Sequence, residues 1–215
     1  MKTLLLTAFN SVMAPIGELT SPLMLAYANR HGYDFHCSRV FEVGCESYWQ
    51  KVWDIRNFTS LSNPLRKDYD RVFYLDSDQV ITNPDWTPPW DSGAHFSLDW
   101  GDDAVTDNHF SACGFVICRD AFGIMSSVAE RHYLFREREF PEQMALRSIR
   151  QDFIREKQMM HVHGRKVFNA VPKEICAEAP EPWEPSDFSA HLTHVPIEER
   201  VRIFHVIRDQ ALGNP

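Results

Sequence analysis

The sequence has no cysteine pair at C-x-x-C spacing, no apolar run long enough to cross a bilayer, no glycine-rich loop behind its first apolar segment and no basic excess. Each absence removes a class of protein. The five cysteines, at 37, 45, 113, 118 and 176, are odd in number and unpaired in spacing, which excludes a disulfide framework or a zinc ribbon and leaves reduced thiols. A membrane helix needs about 20 consecutive apolar residues. The opening MKTLLLTAFN breaks at Asn10 without a cleavage site, so it reads as a first strand and not as a secretory signal. A cytoplasmic protein in a reducing compartment is the expectation. A formal net charge of -8 speaks against a broad nucleic-acid surface, which needs clustered Lys and Arg. A phosphate-bearing substrate would take part of its neutralising charge from a metal ion. Near the first strand only Gly17 is found, whereas nucleotidyltransferases that cradle phosphates carry a glycine-rich loop there.

What is present is enough apolar sequence for one substantial core: 215 residues, 44% of them hydrophobic. Residues 3–8 form a short continuous apolar run, as in a strand buried on both faces. Ser21-Pro22 reads as an N-cap and first helical position, opening a helix that runs to Arg30 and stops at Gly32. YDFHCSRVF is a second strand. Trp49, Val52, Trp53, Phe58, Leu61 and Leu65 recur at helical spacing, with Asn63-Pro64 interrupting near the end. RVFYL is a third strand, so the order is β-α-β-α-β, the pattern of an α/β fold with a mostly parallel sheet flanked by helices. HFSLDW and GFVICR read as further strands, AFGIMSSVAERHYLF and PEQMALRSIRQDFIREK as helices, and the proline-rich 177–185 as a surface loop.

The pattern D-x-D occurs twice. Asp68-Tyr69-Asp70 precedes the third strand and reads as a solvated turn. Asp76-Ser77-Asp78 follows it, at the carboxyl end of a central strand, where open α/β sheets place their ligands. Two carboxylates there supply hard oxygen ligands to Mg²⁺ or Mn²⁺, whose remaining positions take diphosphate oxygens. That is Lewis-acid assistance to a departing diphosphate, and it suits transfer of a sugar from a nucleotide-sugar donor.

On these residues the sequence resembles the metal-dependent GT-A glycosyltransferases, most nearly the galactosyl/mannosyltransferase group that includes plant xylosyltransferases and yeast mannosyltransferases. The likeness rests on YDRVFYLDSDQVITNP, YANRHGYDF, HFSACGFVICRDA, PEQMALRSI and AHLTHVPIEERVR, in that family's order. It implies a GT-A (Rossmann-like) domain over 1–215, with a nucleotide-sugar-binding half (1–100) and an acceptor-side half (101–215). It further implies Mn²⁺ or Mg²⁺, a UDP-sugar donor, a glycan or glycoconjugate acceptor, and retention of anomeric configuration. This sequence departs from the family in starting at its first strand without an anchor, in having Ser111-Ala112-Cys113-Gly114 where N-S/T-G is usual, and in having Glu142-Gln143 where Asp-Gln is usual.

The resemblance also implies roles. Thr7, Ala8, Phe9 and Asn10 would line the nucleoside pocket; the plain alternative is an ordinary strand exit. Asp76, Ser77 and Asp78 would hold the ribose and metal, with Asp78 the more direct ligand. His191 would complete the metal shell, ahead of His194 and His205. Lys51 would reach the donor, against the alternative of a solvated helix lysine. Glu142 and Gln143 would sit beside the transferred sugar, against the alternative of an acidic first helical turn. An inverting mechanism would need a carboxylate base from Asp209, Asp107 or Glu142. His161-Val162-His163 reads as surface residues of a polar loop. Trp86 and Trp90 read as pinning a proline-rich loop to the sheet, with acceptor stacking the alternative. Nucleotidyl transfer and a non-catalytic nucleotide-sugar-binding module are the competing classes.

Overall fold

The computed structural model describes residues 1–40, 45–60, 68–99, 109–179 and 181–211. Strands β1 (Thr3–Asn10), β2 (Asp34–Val40), β3 (Arg71–Leu75), β5 (Ala94–Leu98), β6 (Phe110–Cys118) and β7 (Met160–His163) form one sheet in the order β2-β1-β3-β6-β5-β7. β1 pairs in parallel with both β2 and β3, β5 in parallel with β7, and β6 runs antiparallel to both of its neighbours. Five strands therefore share one direction and β6 opposes them, which is the mostly parallel sheet expected. A smaller sheet pairs β4 (Gln79–Ile81) with β8 (Ser189–His191) antiparallel.

Period-two alternation along buried strands sorts the core into two layers. Leu4, Leu6, Val72 and Tyr74 point to one face, where they pack with residues of α3 (Gln50–Thr59), α4 (Gly123–Glu130) and α6 (Pro141–Asp152). Leu5, Phe73 and Leu75 point to the other, onto Met24, Tyr27 and Ala28 of α1 (Ala14–His31). A third cluster joins Ile16 of α1 to Val80, Ala190 and the Ile203, Phe204 and Ile207 face of α8 (Ile197–Ala211). That cluster clamps β4 and β8 beside the carboxyl end of β3.

Several local expectations need correction. α1 begins at Ala14 and not at Ser21-Pro22. The Asn10 Oδ1 accepts the Met13 N–H at 3.0 Å and Pro15 opens the first turn, so the helix is nucleated a full two turns earlier and Pro22 lies inside it. Burial of Ile16, Thr20, Met24 and Tyr27 carries the helix through the hydrogen bond that Pro22 cannot donate. Gly32 does end it, at φ 65°, in the left-handed conformation glycine adopts without steric cost. The second helical segment is α2 (Cys45–Tyr48) followed by α3, while Leu61 and Leu65 lie outside the described residues. The helix expected over 121–135 divides at Arg131 into α4 and α5 (His132–Phe135). That expected over 141–157 breaks at Phe153, whose backbone is extended, into α6 and α7 (Ile154–Met159). His161 and His163 are not in a polar loop: they lie on β7, where His163 hydrogen-bonds His95 at 2.9 Å and stacks on Trp90. Trp86 and Trp90 pack on Phe168 against the sheet, as the pinning role requires.

Candidate metal and donor site

β3 is apolar throughout and buried throughout, and the chain leaves it as Asp76-Ser77-Asp78. The turn is fixed by its own backbone. Asp76 N–H donates to Cys113 O (2.7 Å), Gln79 N–H to Asp76 O (3.1 Å), and Leu192 N–H to the Asp78 O (2.9 Å). The Thr20 hydroxyl of α1 donates to Ser77 O at 2.5 Å. α1, β4, β6 and the residue that follows β8 thus hold a tripeptide whose two carboxylates face the same region.

His191, at the end of β8, joins them. One ligand atom each from Asp76, Asp78 and His191 lies within 4.8 Å of the others. Nδ1–H of His191 donates to Asn169 Oδ1 at 2.8 Å, which turns Nε2 toward Asp78 Oδ1 at 3.4 Å. An imidazole oriented by an amide behind it, beside two hard carboxylates, fits a divalent cation such as Mn²⁺ or Mg²⁺. Burial pushes the His191 pKa down, but the Cys113 thiol and Asp78 carboxylate outweigh it and hold it well above its usual value. Burial pushes Asp78 up, while His191 and Arg200 bring it below the usual carboxylate range. A cation bound here would therefore displace a proton from His191.

Lys51 is the second centre. Only 4% exposed, it is no solvated helix lysine. Its Nζ lies 3.0 Å from Asp76 Oδ1, 3.0 Å from Glu142 Oε1 and 3.0 Å from Ala112 O, above the Tyr74 ring at 4.8 Å. Burial works against its charge, but Asp76 and Glu142 more than offset this and raise its pKa. Tyr74 also donates to Asp76 Oδ1, at 2.8 Å. Glu142 is pushed up by burial against the opposing pull of Lys51, and its Oε2 is buried with no hydrogen-bond partner. Gln143 is gripped at both ends: its Oε1 accepts the Ala112 N–H at 2.8 Å, and its Nε2 donates to Asp99 at 3.0 Å. Gly114 stands where a Cβ would lie 2.8 Å from the Phe168 Cβ, so the approach of Phe168 to β6 requires glycine.

The end of β1 adjoins this centre. The last β1–β3 pair is Leu6 with Tyr74, so two residues on come Ala8 and Asp76. Thr7 is buried with its hydroxyl unpartnered, Ala8 is half-buried, Phe9 packs under the Arg39 guanidinium, and Asn10 caps the turn into α1. Other expected residues are placed elsewhere. Asp209 pairs with its neighbour Arg208 on α8, nine residues beyond Arg200; that is roughly 13 Å along the helix axis, and it is not brought to the carboxylates. His205 is exposed against Phe204, His194 is exposed at a left-handed φ of 62°, and Asp107 lies outside the described residues.

Sequence reasoning missed Arg200. Its Nη1 lies 2.5 Å from Asp78 Oδ2 across 122 positions, and its Nε holds Val195 O at 2.9 Å. It also missed Asn169, Asp99 and Tyr74. Only the amphipathic pattern of α8 would have placed Arg200 on an inward-turning face, and no local signal marks the others.

A mostly parallel sheet whose central strand ends in a carboxylate pair, with an antiparallel strand beside it and helices on both faces, is the GT-A glycosyltransferase fold. A glycosyltransferase involved in glycosylation of the major capsid of PBCV-1 superposes with a TM-score of 0.70 at 16% identity, over 96% of this chain and 100% of that one. The galactosyltransferase LgtC, solved with donor and acceptor sugar analogues, gives 0.57 at 13% identity over 96% and 95%. A Drosophila β1,4-galactosyltransferase 7 mutant with manganese, UDP-Gal and xylobiose gives 0.51 at 14% over 93% and 74%. No protein-family model matches the sequence, and no curated protein matches it. The likeness is one of fold, and none of these matches carries the narrower galactosyl/mannosyltransferase group. Among the described residues, no helix is long and apolar enough to cross a membrane.

Proposed function

We propose that this protein is a glycosyltransferase that moves a sugar from a nucleotide diphosphate sugar, UDP-linked, to a hydroxyl of a glycan or glycoconjugate. The observation that carries this reading is the convergence of Asp76, Asp78 and His191 at the carboxyl end of β3 in a GT-A fold. A divalent cation held by these three would act as a Lewis acid for the departing diphosphate. The residues 7–10 would bind the nucleoside in the 1–100 half, their backbone reading the base. Arg200, already at the metal-side carboxylate, would meet the diphosphate. Lys51 would fix the Asp76 carboxylate and Glu142 in one register and orient the donor sugar. Glu142 would set its negative charge against the positive charge that develops on the transferred sugar, with Gln143 holding the neighbouring β6 backbone in place. The acceptor would enter from the 101–215 half.

Retention of configuration is the reading adopted. Glu142 is committed to Lys51, and Asp209 stands away from the carboxylates, so neither supports the base that inversion needs. The test is a panel of nucleotide sugars incubated with Mn²⁺. Slow release of UDP and free sugar from one donor is expected, with proton NMR of a transfer product reading the anomeric outcome. Pyrophosphate release would make the protein a nucleotidyltransferase, and absence of turnover with tight binding would make it a binding module.

A further inference from the structure

Two exposed aromatic rings beside the Lys51–Glu142 ion pair have no part in the donor chemistry above. Tyr48 ends α2, three residues before Lys51, and Phe140 precedes α6, two residues before Glu142. The 3.0 Å contact of Lys51 with Glu142 therefore ties together the two segments that carry the rings. The rings meet edge to face, centroids 6.0 Å apart and planes at 75°. Each is 41% exposed, and Met144, whose N–H bonds the Phe140 carbonyl at 3.0 Å, is 39% exposed.

Phe140 has φ 46° and ψ 58°, a left-handed conformation that costs a bulky residue on the order of 1–2 kcal/mol. Asparagine or glycine would occupy this position with less strain. Two residues after Phe140 in the chain, the Oε2 of Glu142 is buried and unpartnered. The patch exposes on the order of 250 Å², taking aromatic side chains at about 200 Å² each. That is the footprint of one or two sugar rings and far below the roughly 800 Å² per partner of a stable protein interface. Aromatic faces carry negative quadrupolar charge and attract the polarised C–H groups on the apolar face of a pyranose. Tyr48, Phe140 and Met144 carry no formal charge, which suits a neutral sugar.

We infer that Tyr48 and Phe140, flanked by Met144, form the platform on which the acceptor sugar lies, and that this acceptor is a neutral pyranose stacked by its C–H face. The inference rests on the glycosyltransferase reading but is separable from it. The test uses methyl galactopyranoside, glucopyranoside, mannopyranoside and xylopyranoside as probes, with wild type, Phe140→Asn and Tyr48→Ser. Phe140→Asn removes the ring and relieves the backbone strain, so its melting temperature should hold or rise. Saturation-transfer NMR should show one or more glycosides binding to wild type with Kd raised at least tenfold in both variants. Acceptor KM should rise by a similar factor, while UDP release in the absence of acceptor stays within twofold. Equal glycoside affinity in all three proteins, or no glycoside binding to folded wild type, overturns the platform. Glycoside binding that the variants abolish, in a protein that releases no UDP from any donor, would uphold the platform as a carbohydrate site and sink the transferase reading alone.

Discussion

Replacing Lys51 by methionine preserves the aliphatic stem and removes the positive charge that, among the described residues, pairs with both Asp76 and Glu142. Breaking a buried ion pair by deleting one partner costs about 3–5 kcal/mol, because the other charge stays buried without compensation. Lys51 serves two carboxylates and a backbone carbonyl, all at 3.0 Å. Glu142 is only 3% exposed, so water cannot stand in for the ammonium, and the upper part of that range applies. For a chain of this size each kcal/mol moves the melting temperature by about 2–4 °C, so a loss of about 4–5 kcal/mol should make the variant melt roughly 8–20 °C below wild type. Urea denaturation followed by tryptophan fluorescence at pH 7 measures the free energy directly. Adding Glu142→Gln to Lys51→Met should recover part of the loss, since the stranded carboxylate is then neutral and neighbouring sites couple. A loss below about 1 kcal/mol, the scale of an exposed pair, would refute the reasoning and return Lys51 to the solvated helix face.

Three further outcomes follow from the same geometry. Asp78→Asn should abolish turnover, while Asp68→Ala and Asp70→Ala retain most of it, because Asp70 is exposed and bonded to Lys2 and Arg119 on the far side of β3; an inactive Asp70→Ala beside an active Asp78→Asn would reverse the assignment. Arg200→Gln should bind Mn²⁺ alone several-fold more tightly, since a cation contact to Asp78 is gone, yet bind UDP in Mn²⁺ more weakly, and calorimetry showing both effects of the same sign would contradict a shared carboxylate. Stability should fall as pH drops from about 6.5 toward 4: burial pushes His95 down to about 4, so the unfolded chain takes its proton first, at a cost of at most about 3 kcal/mol. His161, His163 and Asp120 are the titratable groups that face it, and urea melts of His95→Phe should lose that part of the slope, an unchanged slope counting against a buried neutral imidazole.

What could be read in advance was whatever is local and strongly patterned. RVFYL is apolar at every position because β3 is covered on both faces, and the carboxylates that follow a buried strand have few places to go except its end. Gly32 announced a helix stop because its conformation is its own. The helix start was misread because Ser21-Pro22 has the right residue types, whereas Asn10 and Pro15 act through a turn geometry that residue type alone does not reveal. β4 and β8 are three residues each, too short for periodicity to register, and β7 was hidden because its sequence MHVH interposes two histidines that stack on Trp90 and His95. At the site, the D-x-D and His191 were legible from motif order, but the burial of Lys51 and the reach of Arg200 to Asp78 are tertiary facts. Nothing near Lys51 in sequence distinguishes it from a solvated lysine, and Arg200 meets its partner across most of the chain.

The most direct test of the account is calorimetric titration of UDP into the wild-type protein in Mn²⁺, repeated with excess EDTA and with Asp78→Asn in Mn²⁺. A diphosphate brought to two carboxylates is repelled unless a divalent ion bridges them. The account predicts clear binding in Mn²⁺ and at least a tenfold loss both with chelator and in the variant. Equal UDP affinity under all three conditions would contradict it.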